Sequence, residues 1–104
     1  MIAVTNRLYV SPSYAAEFEE RFRTRSGLIE GMEGFVRNQV WRPEKEGDPY
    51  VVMTIWESRE RFEAWVKSDA FKQAHTGDFP RDAYTARNQV DVYEVLMETL
   101  PEGQ

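Results

Sequence analysis

Residues 50–57, YVVMTIWE, decide the predicted architecture, because they form a strand pattern that is apolar on both sides. Val51, Met53 and Ile55 share one side, while Val52 and Trp56 share the other with Thr54. An antiparallel strand with one solvated face alternates more strictly between apolar and polar residues. The stretch therefore predicts a sheet that is covered on both faces.

The sequence around this strand predicts three more strands and the helices that join them. Polar turn formers, serine caps and apolar periodicity place these elements. They are a strand over residues 2–10, a helix from about 13 to the high twenties, a strand over 35–42, a helix after Ser58, a short helical turn from Ser68-Asp69, and a strand over 89–98. Residues 76–87 contain Gly77 and Pro80 and are predicted to form a loop.

The order of these elements is β-α-β-β-α-β, which is typical of the α+β ferredoxin-like fold. That fold has an antiparallel sheet with its helices on one face, here in a single domain over residues 1–104. The other face needs a second cover, and a second copy of the chain is the simplest one because most soluble oligomers are symmetric. We expect a homodimer in which two sheets pack face to face as an α+β barrel.

Composition excludes several classes of function. The 104 residues are 41% hydrophobic and 30% charged, with a net charge of -5. Basic residues are scattered among acidic ones, so no nucleic-acid partner is expected. The absence of cysteine excludes disulfides, zinc–thiolate sites and iron–sulfur clusters. No apolar run approaches the ~18 residues of a membrane span, and no signal peptide is evident, so the expected location is cytoplasmic.

Three side chains are candidates for chemistry. Asn6 shares its strand face with aliphatic residues, where an unsatisfied amide costs on the order of 1–3 kcal/mol. It either bonds a loop or a buried water, or points a donor into a pocket. Trp65 lies at helical spacing from Phe62 and is either core or pocket wall. His75, the only histidine, is either a surface or capping residue or a metal ligand.

The stretch WVKSDAFKQAH, residues 65–75, determines whether Trp65 and His75 can meet. In one continuous helix, residues ten positions apart at ~100° each lie roughly 80° apart around the axis. Ser68-Asp69 is a capping signal that interrupts the helix, so both side chains can face one cavity. The residues alone thus permit a pocket with an amide, an indole and an imidazole, and name no reaction.

The chain resembles the antibiotic biosynthesis monooxygenase superfamily, and within it the IsdG-like heme-degrading monooxygenases. The resemblance covers most of the chain, through TNRL (5–8), ERFRTR (20–25), GFV (34–36) and IWES (55–58). Its most specific stretch is FEAWVKSDAFKQAH (62–75), which is similar to the family's tryptophan–histidine segment. Asn6, Trp65 and His75 together are the discriminating set.

The resemblance implies a reaction and three roles. His75 would be the proximal ligand of heme iron through a neutral ring nitrogen. Trp65 would press on the porphyrin and distort it, and Asn6 would donate its amide to oxygen on the distal side. The macrocycle would be opened by O₂ and electrons with release of iron, so that heme is both cofactor and substrate. No dinucleotide fingerprint is present, so the electrons would come from a separate reductase or a small reductant.

The resemblance also implies further residues around the ligand. Phe22 would line the heme slot, and Arg21 and Arg25 would approach the propionates, unless they belong to a solvated helix face. Phe71 shares a helix face with His75 and is either core or pocket wall. The loop TGDFPRDAYTAR, residues 76–87, departs from the longer polar loop of some relatives.

Two other functions remain open at the level of sequence. One is a cofactor-independent monooxygenase of the same superfamily acting on a quinol or another aromatic substrate, in which His75 and Asn6 would activate the substrate. The other is a non-catalytic heme-binding dimer. The first needs no axial ligand, so the combination of Asn6, Trp65 and His75 favours a heme protein.

Overall fold

Four antiparallel strands form one sheet in the computed structural model, which describes residues 1–24, 28–74 and 79–103. The sheet order is β2-β3-β1-β4, and every neighbouring pair is antiparallel. This arrangement confirms the predicted α+β ferredoxin-like fold. The elements are β1 (Ile2–Leu8), α1 (Ala15–Thr24), β2 (Phe35–Trp41), β3 (Tyr50–Trp56), α2 (Arg59–Val66), α3 (Asp69–Ala74) and β4 (Gln89–Glu94).

The register of the sheet sorts its side chains onto two faces. Asn6 in β1 pairs with Val52 in β3 and with Val90 in β4. Directly paired residues point to the same side, so these three side chains share a face. Apolar residues of the helices pack against this face through Ile2 and Val4. The opposite face is mixed: it carries the apolar residues Ala3, Val51, Met53, Ile55 and Tyr93 and the polar residues Thr5, Arg7, Gln89 and Asp91.

The core consists of two clusters on the helical face of the sheet. The first contains Ile2, Val4, Trp56 and Trp65, and it is extended by partly buried residues of α2 and α3. The second contains Val10, Phe18 and Tyr50, which join α1 to the strands. Trp56 is fully buried, at 0% exposure. Members of both clusters, or residues packed on them, surround the space described below as the candidate site.

Serine caps separate α2 from α3 as the sequence predicts. The Ser58 hydroxyl accepts from the Arg61 N–H at 3.2 Å and starts α2. The Ser68 hydroxyl donates to the Trp65 carbonyl at 2.6 Å and accepts from the Phe71 N–H at 3.1 Å. Ser68 therefore ends one helix and begins the next, and it sets the angle between Trp65 and Phe71.

The first helix is shorter than predicted. A 3-10 turn, Pro12–Tyr14, precedes α1, which begins at Ala15 and is described to Thr24; residues 25–27 lie outside the described part of the chain, and the backbone at Leu28 is not helical, so the helix does not reach the high twenties. The Thr24 hydroxyl bonds the Glu20 carbonyl at 3.0 Å. Leu28 and Ile29 lie in non-helical backbone and pack against the first core cluster. Their apolar character reflects tertiary packing rather than helical periodicity.

The last strand is also shorter than predicted, and the loop before it is partly ordered. β4 ends at Glu94 rather than Glu98, because β1 begins at Ile2 and offers only the Met1 carbonyl to the Val95 N–H, at 3.0 Å. Within the predicted loop, a 3-10 turn spans Arg81–Ala83, and Tyr84 forms a β-bridge with Val10. Residues 76–78 lie outside the described part of the chain.

Candidate functional site

A cavity of about 570 Å³ lies between the helical face of the sheet and the helices. Ligand sites are typically ~300–1,000 Å³, mostly apolar, with a few polar groups that orient the ligand. The cavity fits this description, because aliphatic and aromatic side chains make up most of its wall. The lining residues are Val4, Asn6, Phe22, Leu28, Ile29, Glu30, Asn38, Val40, Val52, Thr54, Phe62, Trp65, Val66, Phe71, Asn88 and Val90.

Asn6 brings an amide to the middle of this wall. It is half-buried in the central strand, between Val52 and Val90 of the neighbouring strands. Its side-chain oxygen accepts from the Asn88 amide nitrogen at 3.1 Å. Asn6 therefore bonds a residue that follows the long loop, and it also lines the cavity, so a donor pointed into the pocket stays a prediction.

Trp65 forms an aromatic section of the wall and is fixed from two sides. Its indole stacks on Trp56, with ring centroids 6.2 Å apart and planes 28° apart. The Phe71 ring meets it edge-on, at 5.4 Å and 83°. The Trp65 side chain is buried, yet it lines the cavity. It is thus both core and pocket wall, because one side packs on Trp56 while the residue also borders the open space.

The other predicted site residues fall into three groups. Phe22 from α1 and Phe71 from α3 line the cavity with Asn6 and Trp65. The Arg21 guanidinium lies over the Phe79 ring, 5.0 Å from its centroid, and Arg21 is not among the described residues that line the cavity. His75 and Arg25 lie outside the described residues.

The sequence analysis missed the amide of Asn88. The signal that could have found it is strand alternation, because Asn88 lies two residues before Val90 and four before Val92. Continuing the face of β4 backwards by one step places Asn88 beside Asn6. The contact joins residues 82 positions apart, so only the pairing of β1 with β4 reveals it.

An ion-pair cluster anchors α1 beside the cavity. The Arg42 guanidinium donates two hydrogen bonds to the Glu19 carboxylate, at 2.8 and 2.6 Å, and the Tyr50 hydroxyl donates a third. These donors lower the pKa of Glu19 to about 2. Burial, followed by the hydrogen bond to Glu19, raises the pKa of Tyr50. Phe22, one turn after Glu19, lines both the space beside this cluster and the main cavity.

Among residues 1–24, 28–74 and 79–103, no three His, Cys, Asp or Glu side chains are grouped so that they could share a metal ion. Within the same residues, no helix has the length and apolar character required to cross a bilayer.

Comparison with known families gives a match over most of the chain. The sequence profile of the family described as "Antibiotic biosynthesis monooxygenase" matches residues 1–77. A heme oxygenase (staphylobilin-producing) of Staphylococcus haemolyticus is 44% identical over 77 residues, which cover 72% of this chain and 73% of the relative. A heme-degrading monooxygenase of Shouchella clausii is 33% identical over 106 residues, covering 100% of this chain and 98% of the relative.

Solved structures with the same fold include proteins of two kinds. The heme-degrader MhuD of Mycobacterium tuberculosis, with two hemes bound in its active site, superposes with a TM-score of 0.79 at 31% identity, covering 95% of this chain and 99% of MhuD. A mutant form of SnoaB, a cofactor-independent oxygenase of Streptomyces nogalater, superposes with a TM-score of 0.74 at 25% identity, covering 97% of each chain.

Proposed function

We propose that this chain, which belongs to the antibiotic biosynthesis monooxygenase family, is a heme-degrading monooxygenase. Its substrate would be heme, opened by O₂ and electrons with release of the iron. The observation that carries the proposal is the apolar cavity of about 570 Å³ that holds the Asn6 amide and is walled by Trp65. Relatives named for heme degradation align with this chain at 33–44% identity.

The described residues suit a flat, largely apolar ligand. Trp65 and Phe71, held edge to face, offer a rigid aromatic wall on the helical side. Phe22 offers a second aromatic side chain from α1. Asn6 supplies an amide on the sheet side, where the valines of the wall are joined by the polar side chains of Asn38 and Thr54. A mostly apolar wall with a few polar groups suits a ligand that is largely apolar and is oriented at a few points.

The proposal assigns roles to residues beyond this wall. His75 directly follows α3 and would ligate the heme iron through a neutral imidazole nitrogen. Bound heme would supply the iron at which O₂ is reduced. Asn6 would donate an N–H on the opposite side of the ring, and Trp65 would bend the ring out of plane. Arg21 and Arg25 would approach the propionates from the end of α1.

Electrons for the reaction would come from outside the chain. Inserting oxygen from O₂ into the macrocycle requires a reductant, which would be a separate reductase or a small molecule such as ascorbate. A second candidate function has one observation in its favour, the likeness to SnoaB. In that case Asn6 and His75 would activate an aromatic substrate without iron. A third is a heme-binding dimer that does not degrade its ligand.

Titration with hemin separates the three functions. The heme-degrading enzyme should show a saturable Soret band, and ascorbate in air with catalase present should abolish the band while ferrous iron appears in a chelator. A band that survives reduction would favour the binding protein. Absence of a saturable band would exclude both heme functions and favour the cofactor-independent one.

We further propose that the protein is a homodimer that uses the second face of the sheet. That face carries Met53, Ile55 and Tyr93, and Tyr93 is 50% exposed in the single chain. The segment after β4 adds Leu96 and Met97, which are 97% and 79% exposed. Large exposed apolar side chains such as Tyr93, Leu96 and Met97 favour an interface between chains. A second copy would cover them by sheet-on-sheet packing.

A further inference from the structure

We infer that Asn88 is a positioning residue that fixes the direction of the Asn6 amide inside the cavity. Its catalytic role rests on the proposed function, whereas the geometry rests on the hydrogen bond between Asn88 and Asn6 alone. Asn88 donates from its amide nitrogen to the Asn6 side-chain oxygen at 3.1 Å, and both residues line the cavity.

The direction of an asparagine amide decides what it offers to a ligand. One end is an acceptor and the other carries two donors, and the planar group presents one end or the other when it turns about its last bond. When the oxygen of Asn6 is occupied by Asn88, the end that remains for a ligand is the N–H₂ group. The reversed pair, with Asn6 donating to Asn88, would present a carbonyl oxygen instead. The two arrangements present opposite partial charges, positive on the N–H₂ group or negative on the oxygen, to the same place in the cavity.

The surrounding backbone holds Asn88 where this bond can form. Asn88 directly precedes β4, whose Val90 pairs with Asn6 across the sheet. The loop before it is tied to the end of β1, because the Thr85 N–H donates to the Tyr9 carbonyl at 2.8 Å. Both ends of the segment around Asn88 are therefore anchored to the strand that carries Asn6.

For a bound heme the consequence would be that Asn6 presents a donor rather than an acceptor to the reacting oxygen. A preorganised donor stabilises negative charge that develops on a reacting oxygen without having to turn at that moment. Asn88 would act on the reacting oxygen through Asn6 rather than by its own donor. Its side chain is exposed and outside both core clusters, so its substitution should leave the fold intact.

The test replaces Asn88 with groups that alter only this hydrogen bond. Asn88→Asp is isosteric and can only accept, so Asn6 must donate to it and turn its oxygen toward the cavity. Asn88→Ala leaves the Asn6 amide without this partner. Gln89→Glu is the matched control, because it makes the same amide-to-acid change one residue later, beside Arg7 on the other face of the sheet.

Two measurements distinguish these variants: side-chain NMR of the heme-free protein and the C–O stretching frequency of its carbonmonoxy heme complex. In heme-free protein, the Asn6 side-chain amide resonances should shift in Asn88→Ala and Asn88→Asp and stay unchanged in Gln89→Glu. In the ferrous carbonmonoxy complex, a donor near the ligand lowers the C–O stretching frequency. Asn88→Asp should therefore raise that frequency and slow heme degradation by about 100-fold, the typical cost of losing one preorganised donor.

A double variant separates positioning from added charge. If Asn88 acts through Asn6, Asn88→Asp should not change the C–O frequency further in an Asn6→Ala background. An equal shift in both backgrounds would overturn the inference. Unchanged Asn6 resonances in heme-free Asn88→Ala would overturn it as well, and that result can be obtained even if wild-type protein binds no heme, in which case the proposed function fails by itself.

Discussion

At the residue scale, Trp65 connects the core to the cavity. Its indole is stacked on Trp56, which is fully buried, and it is braced edge-on by Phe71. A side chain packed on two sides cannot rotate away from a ligand that presses on it. Rigid contact is what would allow an indole to impose a bend on a porphyrin, because a mobile wall would yield to the flat ring instead.

Replacing Trp65 with phenylalanine tests this mechanical role. Trp65→Phe keeps an aromatic wall but removes part of its width, so heme should still bind while the rate of degradation or the distribution of products changes. Measuring both by absorbance and mass spectrometry checks the expectation. Trp41→Phe, which alters an indole on the opposite sheet face, is the control. Unchanged rate and products in Trp65→Phe would mean that Trp65 serves only the core.

His75 is the second residue on which the proposal depends. His75→Ala should remove the axial ligand and shift the Soret band. It should also abolish the low-field NMR signals of the histidine ring bound to iron. Added imidazole should restore both features in part. Lys72→Ala, an exposed change on α3, should leave the spectrum intact. A His75→Ala spectrum that matches wild type would show that another group binds the iron.

At the element scale, the break between α2 and α3 and the anchoring of α1 shape the cavity. Ser68 joins the two short helices through hydrogen bonds to Trp65 and Phe71, so two of the cavity walls are set by one residue. On the other side, the Glu19 carboxylate links α1 to Arg42, just past the end of β2, and to Tyr50 in β3. Phe22 extends from the same helix into the cavity.

The Glu19 cluster makes stability depend on pH in a specific range. The pKa of Glu19 is about 2 in the fold against 4.5 unperturbed, so its contribution is complete above about pH 4.5 and is lost as pH falls through 2. Glu19→Gln should lower the free energy of unfolding by about 2 kcal/mol at neutral pH, as expected for hydrogen bonds to a charged group. The difference from wild type should shrink between pH 4.5 and 2.

Urea denaturation at several pH values measures this difference. Glu17→Gln, an exposed change on the same helix, should show little effect at any pH. A Glu19→Gln deficit that stays constant down to pH 2 would mean that packing around α1, rather than the ionised carboxylate, accounts for the loss.

Local patterns in the sequence predict these elements well. They do not predict contacts between elements that are far apart in the chain. The alternation in β1, the apolar run of β3 and the serine caps at Ser58 and Ser68 depend on neighbours in the chain, so they can be read directly. The end of β4 depends on where its partner strand β1 stops, which the residues of β4 do not show. The pairing of Asn6 with Asn88 depends on strand order and loop anchoring together.

At the scale of the whole molecule, the helices cover one face of the sheet, and the other face presents apolar side chains such as Tyr93 beside polar ones. If a second copy covers that face, wild-type protein should sediment with twice the mass of one chain. Tyr93→Arg places a charge on that face in β4 and should give a monomer or a much weaker dimer, since a buried unpaired charge is costly. Ala16→Arg, an exposed change on α1, should remain dimeric. A monomeric wild type would contradict the proposed interface.

The central claim is that the protein uses O₂ to open the ring of heme. Its most direct measurement is mass spectrometry of the product after a single turnover of the hemin complex with ascorbate and catalase under ¹⁸O₂, with ferrous iron quantified in parallel. We predict a ring-opened tetrapyrrole that contains ¹⁸O and iron release in proportion to the heme consumed. Recovery of intact heme, or of a product without ¹⁸O, would contradict the claim.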